Sequence, residues 1–123
     1  MNKNYYRIGE FSKKINLTID TLRFYEKENL IKPKRDQNNI RLYSDNDISW
    51  IEFIKRLKQT GMPLKEIKIY SALRYKGDST INERLSLLNS QKKRLENDNL
   101  EIKKHIDFLN KKINTYKSKL QHK

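Results

Sequence analysis

The stretch Thr18–Leu30, TIDTLRFYEKENL, decides how this chain is read. Thr18 is a good helix N-cap, because its hydroxyl can accept from backbone N–H groups that the first turn leaves without partners. Leu22 and one of Phe24 or Tyr25 then turn inward, and Asn29 followed by Leu30 supplies a left-handed cap with its apolar contact. Arg23, Phe24 and Tyr25 are thereby crowded into the middle of a short helix that has one face to bury. At least one of the three has a role outside the core.

Just upstream, Ile8, Phe11 and Ile15 recur at helical spacing, and Asn16 can take the conformation that ends a helix. Two short helices joined by a tight turn in a basic chain form a helix-turn-helix candidate. Downstream, in KPKRDQNNIRLYS, Pro33 argues against a helix and Asn38-Asn39 can supply the positive angles of a hairpin turn. Ile40, Arg41, Leu42 and Tyr43 alternate as a strand does, which predicts a two-stranded wing with Ile40 and Leu42 on one face and Arg41 and Tyr43 on the other. Alternation alone leaves open which face meets the core.

Ser44 is placed to cap a third helix, with Asp45 and Asp47 in its first turn where carboxylates favour the positive end of the dipole. Ile48, Ile51, Phe53, Ile54 and Leu57 supply its apolar side, with Trp50 extending it. Part of the Lys55, Arg56 and Lys58 cluster is explained by the helix C-terminus alone. Gly61 ends this helix and Pro63 opens a fourth.

The order IGEFS, TLRFYEKENLIKP, NNIRLYS and IKRLKQTGMPLKEI resembles the DNA-binding domain of the MerR family of bacterial transcription regulators. The likeness spans roughly residues 5 to 73, and its most specific parts are LRFYE, the R-x-Y of the wing and G-x-x-L-x-E-I. Asn39 stands where the family usually has glycine, and Phe24 where several members carry tyrosine. The resemblance implies that the second helix enters the major groove while the wing follows the adjacent backbone. On that reading Thr18, Asp20 and Thr21 point toward bases, and Arg23 reaches phosphate or a guanine edge. Tyr25 donates to a phosphate, Phe24 anchors the helix or lies along a sugar, Arg41 and Tyr43 are the wing's phosphate contacts, and Lys58 clamps the backbone.

The capping-box pattern Thr80-Ile-Asn-Glu83 announces a last helix. Steps of four and three then run through Ile81, Leu85, Leu88, Lys92, Leu95, Asn99, Ile102, Ile106, Leu109, Ile113, Tyr116 and Leu120. An amphipathic helix of about 60 Å has no core of its own to cover, so this heptad seam predicts pairing with a second copy. Leu85, Leu88, Leu95, Ile102, Ile106, Leu109 and Ile113 are its main dimerisation residues, and Lys92 and Asn99 its polar breaks. The apolar pattern leaves orientation open; the resemblance implies an antiparallel pair.

The expected fold is mainly α, a winged helix-turn-helix over residues 1–75 followed by a dimerisation coiled-coil helix over 80–121. The net charge of +13 points to an anionic partner, double-stranded DNA first, although a bias toward Lys, Asn and Ile also raises it. Residues 1 to 70 carry 15 basic and 9 acidic side chains, net +6, and 71 to 123 carry 13 and 6, net +7. The chain has no cysteine, which excludes disulfides and thiolate-held metals, and His105 and His122 are too few and too far apart for a metal site. No cofactor is expected. Nor is an enzyme, since no paired catalytic acids, nucleophile-base pair or phosphate loop is present. No apolar run approaches a membrane span and the N-terminus lacks a signal-peptide core, so a cytoplasmic protein is expected.

The expected function is a homodimeric regulator on a palindromic operator. The resemblance adds bending and untwisting of promoter DNA, with RNA polymerase as a further partner and the effector unspecified. A rival is an architectural or chromosome-tethering protein that uses the same head with a partner-recruiting coiled coil.

Overall fold

The computed structural model describes residues 5–122. A first strand β1 (Tyr5–Tyr6) leads into α1 (Ile8–Ile15) and α2 (Ile19–Lys27). Strands β2 (Lys34–Arg35) and β3 (Arg41–Ser44) follow, then α3 (Asp45–Gln59), α4 (Leu64–Lys76), a single 3-10 turn at Asp78–Thr80 and α5 (Ile81–Gln121). The fold is mainly α, with a winged helix-turn-helix followed by one long helix.

Local chemistry places most of the boundaries. Asn16 ends α1 at φ +56°, and Asn29 follows α2 at φ +62°, each in the left-handed region that asparagine tolerates. Thr18 Oγ1 accepts from the Thr21 amide at 3.1 Å, and Ser44 with Asp47 forms a reciprocal capping box at the start of α3. The box expected at Thr80 and Glu83 is replaced by another arrangement. The Thr80 hydroxyl donates to the carbonyls of Leu73 and Gly77, at 2.7 and 2.8 Å, and so ties off the end of α4.

The wing differs from a simple hairpin. Its sheet has three strands in the order β1-β3-β2, because Tyr5 and Tyr6 add to the far side of β3 opposite Ser44 and Tyr43. Two residues ahead of a helix carry no readable alternation, which is why the sequence pattern does not reveal this strand. At the tip only Asn39 has a positive φ, +64°, while the Asp36 carboxylate accepts from the Asn38 and Ile40 amides at 2.8 and 3.0 Å. An aspartate closing its own turn this way does much of the work expected of an Asn-Asn pair.

The core lies where α1, α2, α3 and the sheet meet, with Phe11, Leu22, Leu30, Ile51 and Ile54 fully buried. Leu30 is its hub. The side chain is buried, and the carbonyl accepts from Trp50 Nε1 and Ser71 Oγ, both at 2.8 Å, so α3 and α4 are fastened to the end of α2. Lys55 Nζ donates to the Ile15 carbonyl at the end of α1, a structural use for one member of the basic cluster. The chain divides into two compact units, residues 1–87 and 88–123. Throughout the second, α5 is continuous helix to Gln121.

Candidate nucleic-acid interface

Helix α2 settles which of its three crowded side chains turns inward. Tyr25 is 3% exposed and packs in the core, whereas Phe24 is 45% exposed and Arg23 is exposed beside it. Leu22 and Tyr25 are three apart and share the buried face, which leaves Arg23 and Phe24 to solvent. Thr18 and Asp20 are also exposed and Thr21 is half-buried, so the start of α2 is an accessible polar surface. The two threonine hydroxyls lie 2.8 Å apart, one of them engaged as the cap.

Glu26 organises the side facing the wing. In the sheet Arg35 stands directly opposite Arg41, a like-charge pair that would by itself oppose strand pairing. The Glu26 carboxylate lies between them. Oε2 accepts from Arg35 Nη2 at 2.7 Å and Oε1 accepts from Arg41 Nε, so one residue of α2 holds both wing strands. Partial burial pushes the Glu26 carboxyl up, but the hydrogen bonds and charges of Arg41 and Arg35 outweigh this and hold it below the usual carboxylate range. Arg35 also donates from Nη1 to the Asn39 carbonyl at 3.0 Å, which braces the wing tip. Neither Glu26 nor Arg35 is among the contacts expected from sequence; the signal was the cross-strand register, which a run of residues does not display.

The wing corrects one expectation outright. The Arg41 and Tyr43 face is the one that meets the core, and Tyr43 is 0% exposed with its ring stacked on Phe11 at 4.3 Å between centroids. Its hydroxyl is buried without a hydrogen-bond partner, and burial pushes its pKa up to about 12. Tyr43 is therefore a core aromatic here and offers no surface group to a phosphate. Tyr25 is likewise a core ring, over which exposed Lys58 Nζ sits 5.3 Å from the centroid. Arg41 and Lys58 are thus brought to α2 from two different elements, β3 and α3. Among the described residues no cluster of His, Cys, Asp and Glu could hold a metal, and no helix is long and apolar enough to cross a membrane.

On α5 the expected seam is apolar and uncovered within one chain. Leu85, Leu95, Ile102, Ile106, Leu109 and Ile113 are exposed, and Leu88 is half-buried.

Residues 6–73 match the family described as MerR HTH family regulatory protein. An HTH-type transcriptional regulator of Haemophilus influenzae is 38% identical over 112 residues, covering 90% of this chain and 83% of that protein. The regulator AdhR of Bacillus subtilis is 39% identical over 89 residues, 72% of this chain and 64% of its own. Among solved structures, HiNmlR, a MerR family regulator lacking the sensor domain and bound to promoter DNA, superposes with a TM-score of 0.73 at 37% identity, covering 94% and 92% of the two chains. A MerR family protein from Listeria monocytogenes gives 0.74 at 30% identity, covering 90% and 85%. With an exposed helix start, a wing held to that helix by Glu26, and these relatives along nearly its whole length, the chain belongs to the MerR family of helix-turn-helix transcription regulators.

Proposed function

We propose that this protein is a homodimeric, sequence-specific DNA-binding regulator that occupies an inverted repeat at a promoter and bends and untwists it. Residues 1–75 form the reading head and residues 80–121 the dimerisation helix. The observation that carries the reading is the Glu26 bridge, which ties α2 to cations on both wing strands. In this assignment Thr18, Asp20, Thr21 and Arg23 face base edges. Arg41 and Lys58 face phosphates on either side, since the Arg41 bond to Glu26 uses Nε and leaves its outer nitrogens for a backbone oxygen. Arg35 joins them, and Tyr25 acts through its support of Lys58.

Distorting a site of this kind costs on the order of 1–6 kcal/mol, which a preorganised wing helps to offset because its cations need no ordering on contact. RNA polymerase is the partner that would use the distorted promoter, which places the protein in the cytoplasm. No cofactor and no catalytic step enters this mechanism.

The test is recovery of genomic DNA fragments by the purified protein. A shared inverted repeat lying between promoter elements is the expected result. Scattered fragments without a repeat would contradict it and favour an architectural role.

A further inference from the structure

The face of the wing turned away from Phe11 is not bare. Leu42 of β3 lines a cavity of about 480 Å³ together with Lys34 of β2, Lys32 just before it, and Arg74 and Tyr75 near the end of α4. That volume suits a small molecule rather than a single ion.

The cavity gathers positive charge without neutralising it. The Arg74 guanidinium lies 5.2 Å from the centroid of the Tyr75 ring and Lys32 Nζ lies 5.3 Å from it, so one ring collects two cations. Neither these two nor Lys34 makes an ion pair among the described residues, whereas Arg35 and Arg41 nearby share Glu26. The two carboxylates of the cavity are already engaged. Asp45 accepts from the Tyr6 hydroxyl at 2.9 Å, and Asp47 accepts from the Ser44 amide at 2.9 Å and from its hydroxyl at 3.2 Å. The Tyr75 oxygen accepts from the Lys32 amide at 3.0 Å. Burial pushes the Tyr75 phenol up, so at neutral pH it keeps a proton that has no acceptor among the described residues. Three cations and a phenol O–H are thus available to an anion, and the Leu42 side chain and the Tyr75 ring to an apolar body.

We propose that this cavity binds a small organic anion, a carboxylate or phosphate monoester carried on a planar ring, and, resting on the wing's proposed contact with DNA, that its occupancy lowers operator affinity. The coupling is short. Lys34 pairs with Leu42, and Arg35 with Arg41, in one ladder, so an anion held at Lys34 puts negative charge one residue from cations assigned to phosphate. It opposes the DNA there, and by linkage operator DNA weakens the anion by the same factor.

Calorimetry of the full chain without DNA tests the site, with benzoate and phenyl phosphate as probes. Each is expected to bind with a Kd below about 1 mM, at least about tenfold tighter than benzyl alcohol or benzylamine. Failure of both probes to bind below about 10 mM would overturn the proposal, and equal binding of benzyl alcohol or benzylamine would overturn the class of ligand. Trp50, the only tryptophan, carries the Arg74 guanidinium 4.4 Å from its ring, so its fluorescence should shift over the same concentrations as the heat. Heat without that shift would place the anion elsewhere. Lys34→Gln, at an exposed position that does not endanger folding, should weaken phenyl phosphate about tenfold, while Lys93→Gln on α5 should leave it unchanged. Unaltered binding to Lys34→Gln would overturn the site. The coupling is read on a recovered operator at constant ionic strength, where saturating phenyl phosphate should weaken operator binding by the dimer about tenfold. Uptake of the anion with operator affinity unchanged would refute the coupling alone. A chain that takes up the anion but selects no operator would refute the DNA reading, and the coupling with it, and leave the site standing.

Discussion

The head and the last helix use the same apolar residue types to opposite ends. In the head, Leu22, Leu30, Ile51 and Ile54 are 0% exposed, so one chain completes that core. Along α5, Leu109 and Ile102 are each 55% exposed, and nothing on a single straight helix can cover them. Apolar surface in the head therefore drives folding, whereas the same chemistry in the helix stays exposed and, in the function proposed above, is covered by a second copy.

The widest break in this comparison should come from the seam. Leu95→Asp/Ile102→Asp introduces four carboxylates per dimer into the paired face and is expected to give monomers by sedimentation. Affinity for a two-half-site operator should fall about a hundredfold or more, as the benefit of linked binding is lost. The head should keep its near-ultraviolet signal, since its core is untouched. A variant that still sediments as a dimer would remove these residues from the interface.

Effects in the head should be smaller and act on contact rather than assembly. Arg41→Ala is expected to weaken specific and random DNA alike and to flatten the dependence of log K on log salt by about one unit; an unchanged slope would show that Arg41 meets no phosphate. Glu26→Gln should reduce DNA affinity by about three- to tenfold with dimerisation unchanged, because the opposed Arg35 and Arg41 lose the negative charge between them and one of its two accepting oxygens. The pH dependence has a definite sign. Glu26 is held below its ordinary value of 4.5, so its contribution to stability is fully present above that value and is lost as pH falls through the lower folded one. Thermal melts from about pH 6 to pH 3 should therefore drop more steeply for the parent chain than for Glu26→Gln. Equal slopes would show that the bridge does not hold the wing in solution.

The smallest effect is expected at Tyr43. Its buried hydroxyl has no hydrogen-bond partner, so Tyr43→Phe should leave DNA affinity and salt slope unchanged and raise stability by up to about 1 kcal/mol. A loss of affinity would return Tyr43 to the contact surface.

Local signals were enough to place α1, the caps of α2 and α3, and the helix of α5, since each depends on neighbours a few residues apart. The buried face of the wing was not legible, because period two separates Arg41 and Tyr43 from Ile40 and Leu42 without saying which pair meets Phe11. The Glu26 bridge was hidden for a related reason. It exists only because β2 and β3 align Arg35 with Arg41 and α2 runs past both, a coincidence of three elements that no single stretch encodes. The third strand escaped because two residues form it. Tyr25 as the inward member of its helix was half legible: spacing from Leu22 allowed either aromatic, and packing chose.

The most direct test of the whole account is a titration of the purified protein against a recovered inverted repeat, intact and with one half-site scrambled, read for both stoichiometry and affinity. Two chains are expected on the intact repeat, with an affinity loss of about a hundredfold when one half is scrambled. One chain bound with equal affinity to either DNA would contradict it.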